Sequence, residues 1–272
     1  MTRGGLLPLH AFLSQFQVKQ TQKTFRIVFR RFRLARVAVH QRKKPASNMP
    51  NRKKIAAYTL PMLLFIALLV VNVLLKKIGN RFWLNSAEYW IYPLQTILCG
   101  GLVFWFRREY EWHRPARIGF AIAVAIVVFL VWILPQAFLG FAPRTTGFNP
   151  GIFLDQPGLY WGTIALRFLR LAVVVPLIEE IFWRGFLLRY LIAEDFDRVA
   201  FGNFSWFSFS AVTALFALSH STPDWAAALL AGALYNLVAY RSKSLFSCIL
   251  AHALTNLLLG LWIMKTQEWG FW

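Results

Sequence analysis

The chain is short of acid. Its 272 residues include 11 Asp and Glu against 30 Lys and Arg, and charged residues of either sign make up only 15% of it. A soluble domain carries about a quarter, so a water-facing globule is excluded. Cysteine is scarce too. Cys99 and Cys248 both fall inside apolar runs, which rules out a disulfide framework or a paired-cysteine metal motif and leaves two small buried apolar side chains. No G-x-S-x-G elbow and no H-E-x-x-H pair occurs, so neither the serine-hydrolase nor the zincin signature applies. No internal repeat is visible.

Hydrocarbon is abundant. Hydrophobic residues make up 58% of the chain, and several runs reach the ~20 residues needed to cross a ~30 Å hydrocarbon layer. The expected fold is all-α, a polytopic transmembrane bundle of about seven or eight helices, because helices satisfy their own backbone groups in lipid. The net charge of +19 does not point to nucleic acid. Residues 1–54 hold 14 of the 30 Lys and Arg and no acid; most of the rest sit in short connections between apolar runs. That distribution anchors and orients helices, and no nucleic-acid reading module accompanies it. Residues 1–54 read as a basic N-terminal tail, with the true start expected at Met49, where a basic flank leads into an apolar run. Residues 55–272 read as the transmembrane domain.

The expected spans are Ile55–Leu75, Tyr89–Phe106, Ile118–Phe141, Leu171–Leu191, two short runs Trp206–His220 and Trp225–Tyr240, and Ser244–Met264. Arg167 and Arg170, just before the fourth span, are expected to snorkel to the interface. Thr222 is expected to cap the helix that follows the "HSTPDW" turn, with Pro223 in its first position. Ala228 and Gly232, four apart, allow a close helix approach there. Lys and Arg concentrate in loops that share a side with the N-terminus, with Lys76, Lys77 and Arg81 as exceptions; this predicts a cytoplasmic N-terminus in a bacterial inner membrane.

Against this background "VVVPLIEEIFWRGFLL" (173–188) is anomalous, since it places Glu179, Glu180 and Arg184 in hydrocarbon. Ionised groups there are expensive and face a polar interior where they act. Glu180 and Arg184 are i and i+4 and can pair on one helix face, whereas Glu179 is turned about 100° away and is left as the candidate base. Two further pairs share the same setting. "FALSH" ends in His220, beside a turn, where it can share a water with Glu179. "HALTN" sets His252 and Asn256 side by side as donors for a developing oxyanion. The set describes water activation and peptide-bond hydrolysis in a polar intramembrane pocket. Ser219 and Ser221 flank His220, but adjacency in sequence does not make a triad. Tyr235 and Asn236 read equally as cavity lining or as ordinary interhelical contacts. His10, His40 and His113 have no such company and read as surface or interfacial.

"EEIFWR", "FALSH" and "HALTN" resemble, in this order, the motifs of the CAAX protease and bacteriocin-processing (abortive-infection-like) family of intramembrane glutamate proteases; the bacterial branch linked to exosortase systems is the most similar. The resemblance covers about residues 160–262. It implies that Glu179 and His220 activate water, that His252 and Asn256 form the oxyanion hole, and that Glu180 and Arg184 are structural. It implies no cofactor and no metal. The partners it implies are the bilayer and a membrane-associated protein or peptide substrate. Two alternatives stay open: a zinc-dependent metalloprotease, because two His and a Glu can hold Zn²⁺, and a non-enzymatic scaffold or immunity-type protein. Neither the substrate and its prenylation nor the oligomeric state is written in the chain.

Overall fold

The computed structural model describes residues 51–79, 81–144 and 147–272. The basic tail up to residue 50, with Met49, His10 and His40, lies outside them. Eight helices occur among the described residues: α1 Arg52–Ile78, α2 Phe82–Asn85, α3 Glu88–Trp105, α4 Ile118–Phe138, α5 Pro157–Tyr190, α6 Trp206–Leu218, α7 Trp225–Ser242 and α8 Leu245–Thr266. The fold is an all-helical bundle, and α1, α4, α5 and α8 are long and apolar enough to cross a membrane. The protein is an integral membrane protein.

The longest helix departs most from expectation. Instead of starting at Leu171, α5 begins at Pro157, where proline fits the first turn, and runs through Arg167 and Arg170 to Tyr190. Two π turns, Arg170–Val174 and Ile181–Leu187, interrupt it. The first of these precedes Pro176, which has no N–H to give. Val175 N–H therefore bonds Arg170 O, five residues back. Arg167 and Arg170 do not snorkel. Both are buried among aromatic rings, and Arg170 Nε donates to Gln95 Oε1 of α3 at 2.8 Å. The reason is tertiary: α3 offers Tyr92 and Gln95 to that face of α5, and these replace water.

The short helices pair as expected. α6 packs along α7, and Gly232 permits it: a Cβ there would lie 3.1 Å from the Phe216 ring. The turn between them is a 3-10 segment, Thr222–Asp224, so Thr222 opens that turn and α7 starts at Trp225. At this end of the bundle Arg144 bonds Asp224 Oδ1 through Nε (2.9 Å) and Nη2 (2.5 Å). Gln136 links Arg144 to Glu268, which also accepts from Trp262 Nε1. At the opposite end Arg189 donates to Val199 O and Glu111, and Lys54 pairs with Glu111 and Asp197. His113 is more enclosed than expected: it packs on Phe201 beside Glu111, and burial holds its imidazole below the ordinary histidine pKa. Cys99 and Cys248 are free, buried thiols.

Candidate active site

The level of the site follows from helical rise. Counted at ~1.5 Å per residue, Glu179 lies roughly 17 Å from the Tyr190 end of α5. His252 lies roughly 11 Å from the start of α8, and His220 roughly 21 Å from the start of α6. All three helix ends are on the same side of an up-and-down bundle, so the three residues lie roughly 11 to 21 Å in from it.

Glu180 and Arg184 are both fully buried, and Arg184 Nη1 donates to Glu180 Oε1 at 2.9 Å. The guanidinium also gives Nε to Asn236 Oδ1 (3.1 Å) and Nη2 to the Gly232 carbonyl (3.1 Å), and it faces the Phe216 and Tyr235 rings. Asn236 in turn donates to Thr213 Oγ1 of α6. One arginine thus ties α5 to α7, and α7 passes the tie to α6. A planar five-donor fork suits this; a lysine would leave acceptors unpaired.

The same Glu180 oxygen bonds His252 Nδ1 at 2.9 Å, a contact the spacing of the motifs did not reveal. The imidazole is stacked on Tyr235 with centroids 5.0 Å apart. Because Nδ1 is occupied by the carboxylate, His252 Nε2 is the ring nitrogen left for a further partner. It can donate to an oxyanion only when the ring is an imidazolium.

His220 follows α6, and its Nδ1 lies 2.8 Å from the Phe216 carbonyl. That contact assigns the proton to Nδ1 and leaves Nε2 with a lone pair. The ring packs against Trp132 of α4 and against Phe216. Phe216 also touches His252, with centroids 6.4 Å apart, so both histidines flank one aromatic ring. Glu179 is half-buried, and its Oε2 is enclosed without a hydrogen-bond partner. Glu179 and His220 are not directly hydrogen-bonded among the described contacts.

Asn256 is committed to the backbone: its Nδ2 donates to Leu171 O at 2.8 Å. The cause lies in α5. Val175 N–H has gone to Arg170 O, and the residue five beyond Leu171 is Pro176. The Leu171 carbonyl is therefore left without a backbone partner, and an unpaired buried polar group costs about 1–3 kcal/mol; Asn256 satisfies it with one amide hydrogen while keeping a second.

Sequence reasoning left Asn236 and Tyr235 undecided and missed Thr213. Their signal was present as Gly232, Asn236 and Tyr235 on α7, within one turn of each other, but which face met Arg184 depended on the packing. No cluster of three or more His, Cys, Asp or Glu arranged to hold a metal occurs among the described residues.

Residues 161–258 match the family described as type II CAAX prenyl endopeptidase, Rce1-like. The match begins in α5 and ends in α8, and so contains all six residues of the three motifs. No curated protein matches the chain, and no solved structure does.

Proposed function

From the CAAX-protease likeness of residues 161–258, we propose that this chain is an intramembrane endopeptidase that hydrolyses a peptide bond of a membrane-associated protein with a glutamate and a histidine and without a metal. Glu179 is the base: its free oxygen takes a proton from a water that His220 Nε2 holds by hydrogen bond. The hydroxide adds to the scissile carbonyl carbon. The developing oxyanion is met by His252 Nε2–H and by the second hydrogen of the Asn256 amide, donors already oriented before reaction. Collapse breaks the C–N bond, and the departing nitrogen takes back the proton from Glu179.

Glu180 and Arg184 do not touch substrate in this reading. Glu180 Oε1 holds the His252 ring by its Nδ1 and so fixes which nitrogen is left facing away from it. Arg184 holds the Glu180 carboxylate in place by its 2.9 Å hydrogen bond. The observation that supports this best is the enclosed, unpartnered Glu179 oxygen one residue from the Arg184–Glu180–His252 chain.

The charge distribution supports a cytoplasmic N-terminus in a bacterial inner membrane, with residues 1–54 as a basic tail and residues 55–272 as the membrane domain. The deciding experiment is profiling of membrane proteins in cells carrying the wild type or Glu179→Gln. One precursor accumulating in the variant, with folded protein at wild-type level, is the expected result. Unchanged processing with Glu179→Gln overturns the assignment and favours a scaffold.

A further inference from the structure

Trp183 stands inside "EEIFWR", yet the proposed reaction gives it no task. Its side chain is only 5% exposed, and its Nε1–H is buried without a hydrogen-bond partner. Indole nitrogen can only donate, and an idle buried donor costs about 1–3 kcal/mol. Four residues earlier, about one helical turn, Glu179 Oε2 is enclosed and equally without a partner. Side chains on a helix lean toward the turn that precedes them, so the indole is carried back over the turn that holds Glu179. Glu180 Oε2 is also unpartnered, but that carboxylate is turned to Arg184 and His252.

The neighbouring helix completes the picture. Ser208 Oγ donates to Leu188 O, and Trp183 packs edge-on against Phe216 with centroids 5.9 Å apart. Passing from the first contact to the second runs backward along α5 and forward along α6, so the two helices are antiparallel. One more turn in each direction leads to Glu179 on α5 and to His220 at the end of α6. The Phe216 ring joins the two levels, because it also packs on His220 at 4.8 Å. His220 Nδ1 is taken by the Phe216 carbonyl, which leaves the Nε2 lone pair. A carboxylate acceptor, an imidazole acceptor and an indole donor thus belong to adjoining turns of one helix pair. A buried water makes about three hydrogen bonds, and these are three.

We infer that Trp183 is the third contact of the reacting water: its Nε1–H donates to the oxygen that Glu179 and His220 hold. This deepens the proposed endopeptidase reading and rests on it. The water gives one hydrogen to Glu179 Oε2 and the other to His220 Nε2. With one lone pair engaged by the indole, a single lone pair is left to form the bond to the scissile carbonyl carbon, and its direction is fixed. As that bond forms, the proton passes to Glu179 and the indole hydrogen bond stays on the new hydroxyl oxygen. The same N–H stabilises the negative charge that builds on this oxygen as the proton leaves.

The test uses the full chain in phosphatidylcholine nanodiscs with isotope-labelled tryptophan. The indole N–H signal of Trp183 is identified by its loss when residue 183 carries benzothienylalanine, an isostere with sulfur in place of N–H. By NMR that signal should show cross-relaxation with a bound water, and Glu179→Leu and His220→Phe should each weaken it. No water contact in the wild type overturns the proposal. So does a contact unchanged in both variants, which moves the indole to the Glu180 side. The isostere should also slow processing of the precursor that accumulates with Glu179→Gln, read by pulse-chase at equal protein level. The expected loss is about 10- to 100-fold, the worth of one hydrogen bond to a charged group; Trp183→Phe should match it. Processing that depends on Glu179 but runs at the wild-type rate with the isostere removes Trp183 and keeps the endopeptidase. Processing indifferent to Glu179, with the water contact intact, removes the endopeptidase and keeps the contact.

Discussion

Replacing Arg184 by Met keeps most of the side-chain volume against Phe216 and Tyr235 and removes the charge. Glu180 then loses its 2.9 Å partner, and Asn236 Oδ1 loses its 3.1 Å donor. The Gly232 carbonyl still has its helical N–H. Stripping one partner from a buried ion pair costs about 3–5 kcal/mol, and the orphaned amide oxygen adds about 1 kcal/mol at the low end of its range. Part of this is recovered as the site relaxes, so a loss of about 4 kcal/mol is expected. The double variant Glu180→Gln/Arg184→Met has no buried charge left and should recover most of the ionic penalty, to within about 2 kcal/mol of wild type. Reversible unfolding in mixed micelles, followed by tryptophan fluorescence, measures all three proteins. A single variant within about 1 kcal/mol of wild type, or a double variant no better than the single, would refute the claim that Arg184 is held by Glu180 in a water-free interior.

Three other outcomes are expected. Asn256→Ala orphans the Leu171 carbonyl and should cost about 1–3 kcal/mol; adding Pro176→Ala supplies the missing backbone N–H and should restore stability but not cleavage, which separates the cap from the oxyanion role. Arg144→Gln should lower turnover about tenfold by loosening the turn after His220, at constant pH optimum, since misplacement of a catalytic group is punished steeply; the charge swap Arg144→Asp/Asp224→Arg should restore part of it, and no loss in the single variant would sever the link. Cleavage should survive o-phenanthroline in protein shown by elemental analysis to be metal-free; loss of activity that returns with Zn²⁺ would support the metalloprotease instead.

How much of this was legible in the chain can be judged from particular residues. Glu180 and Arg184 pair as their spacing predicts, because i and i+4 on one helix leave no freedom about which face they share. The apolar runs located α1, α3, α4 and α8 closely for the same kind of reason: length and hydrophobicity are local properties. Where the outcome depended on a neighbouring helix, local reading failed. Arg167 and Arg170 looked like interfacial anchors because arginine normally reaches for water; Tyr92, Gln95 and Phe148 on other parts of the chain took water's place. Asn256 looked like a free donor because nothing in "HALTN" discloses that a π turn and a proline some 80 residues earlier have left a carbonyl unpaired.

Residue types and short-range periodicity, then, were sufficient for an all-helical membrane chain and for the pairing of Glu180 with Arg184, since both follow from the solvent and from helix geometry alone. The convergence of His252 on Glu180, the burial of two unpaired arginines and the duty of Asn256 were decided only when the helices packed. In the interior, His252, Arg170 and Asn256 each found a partner on another helix, and the identity of that partner is a property of the assembled bundle.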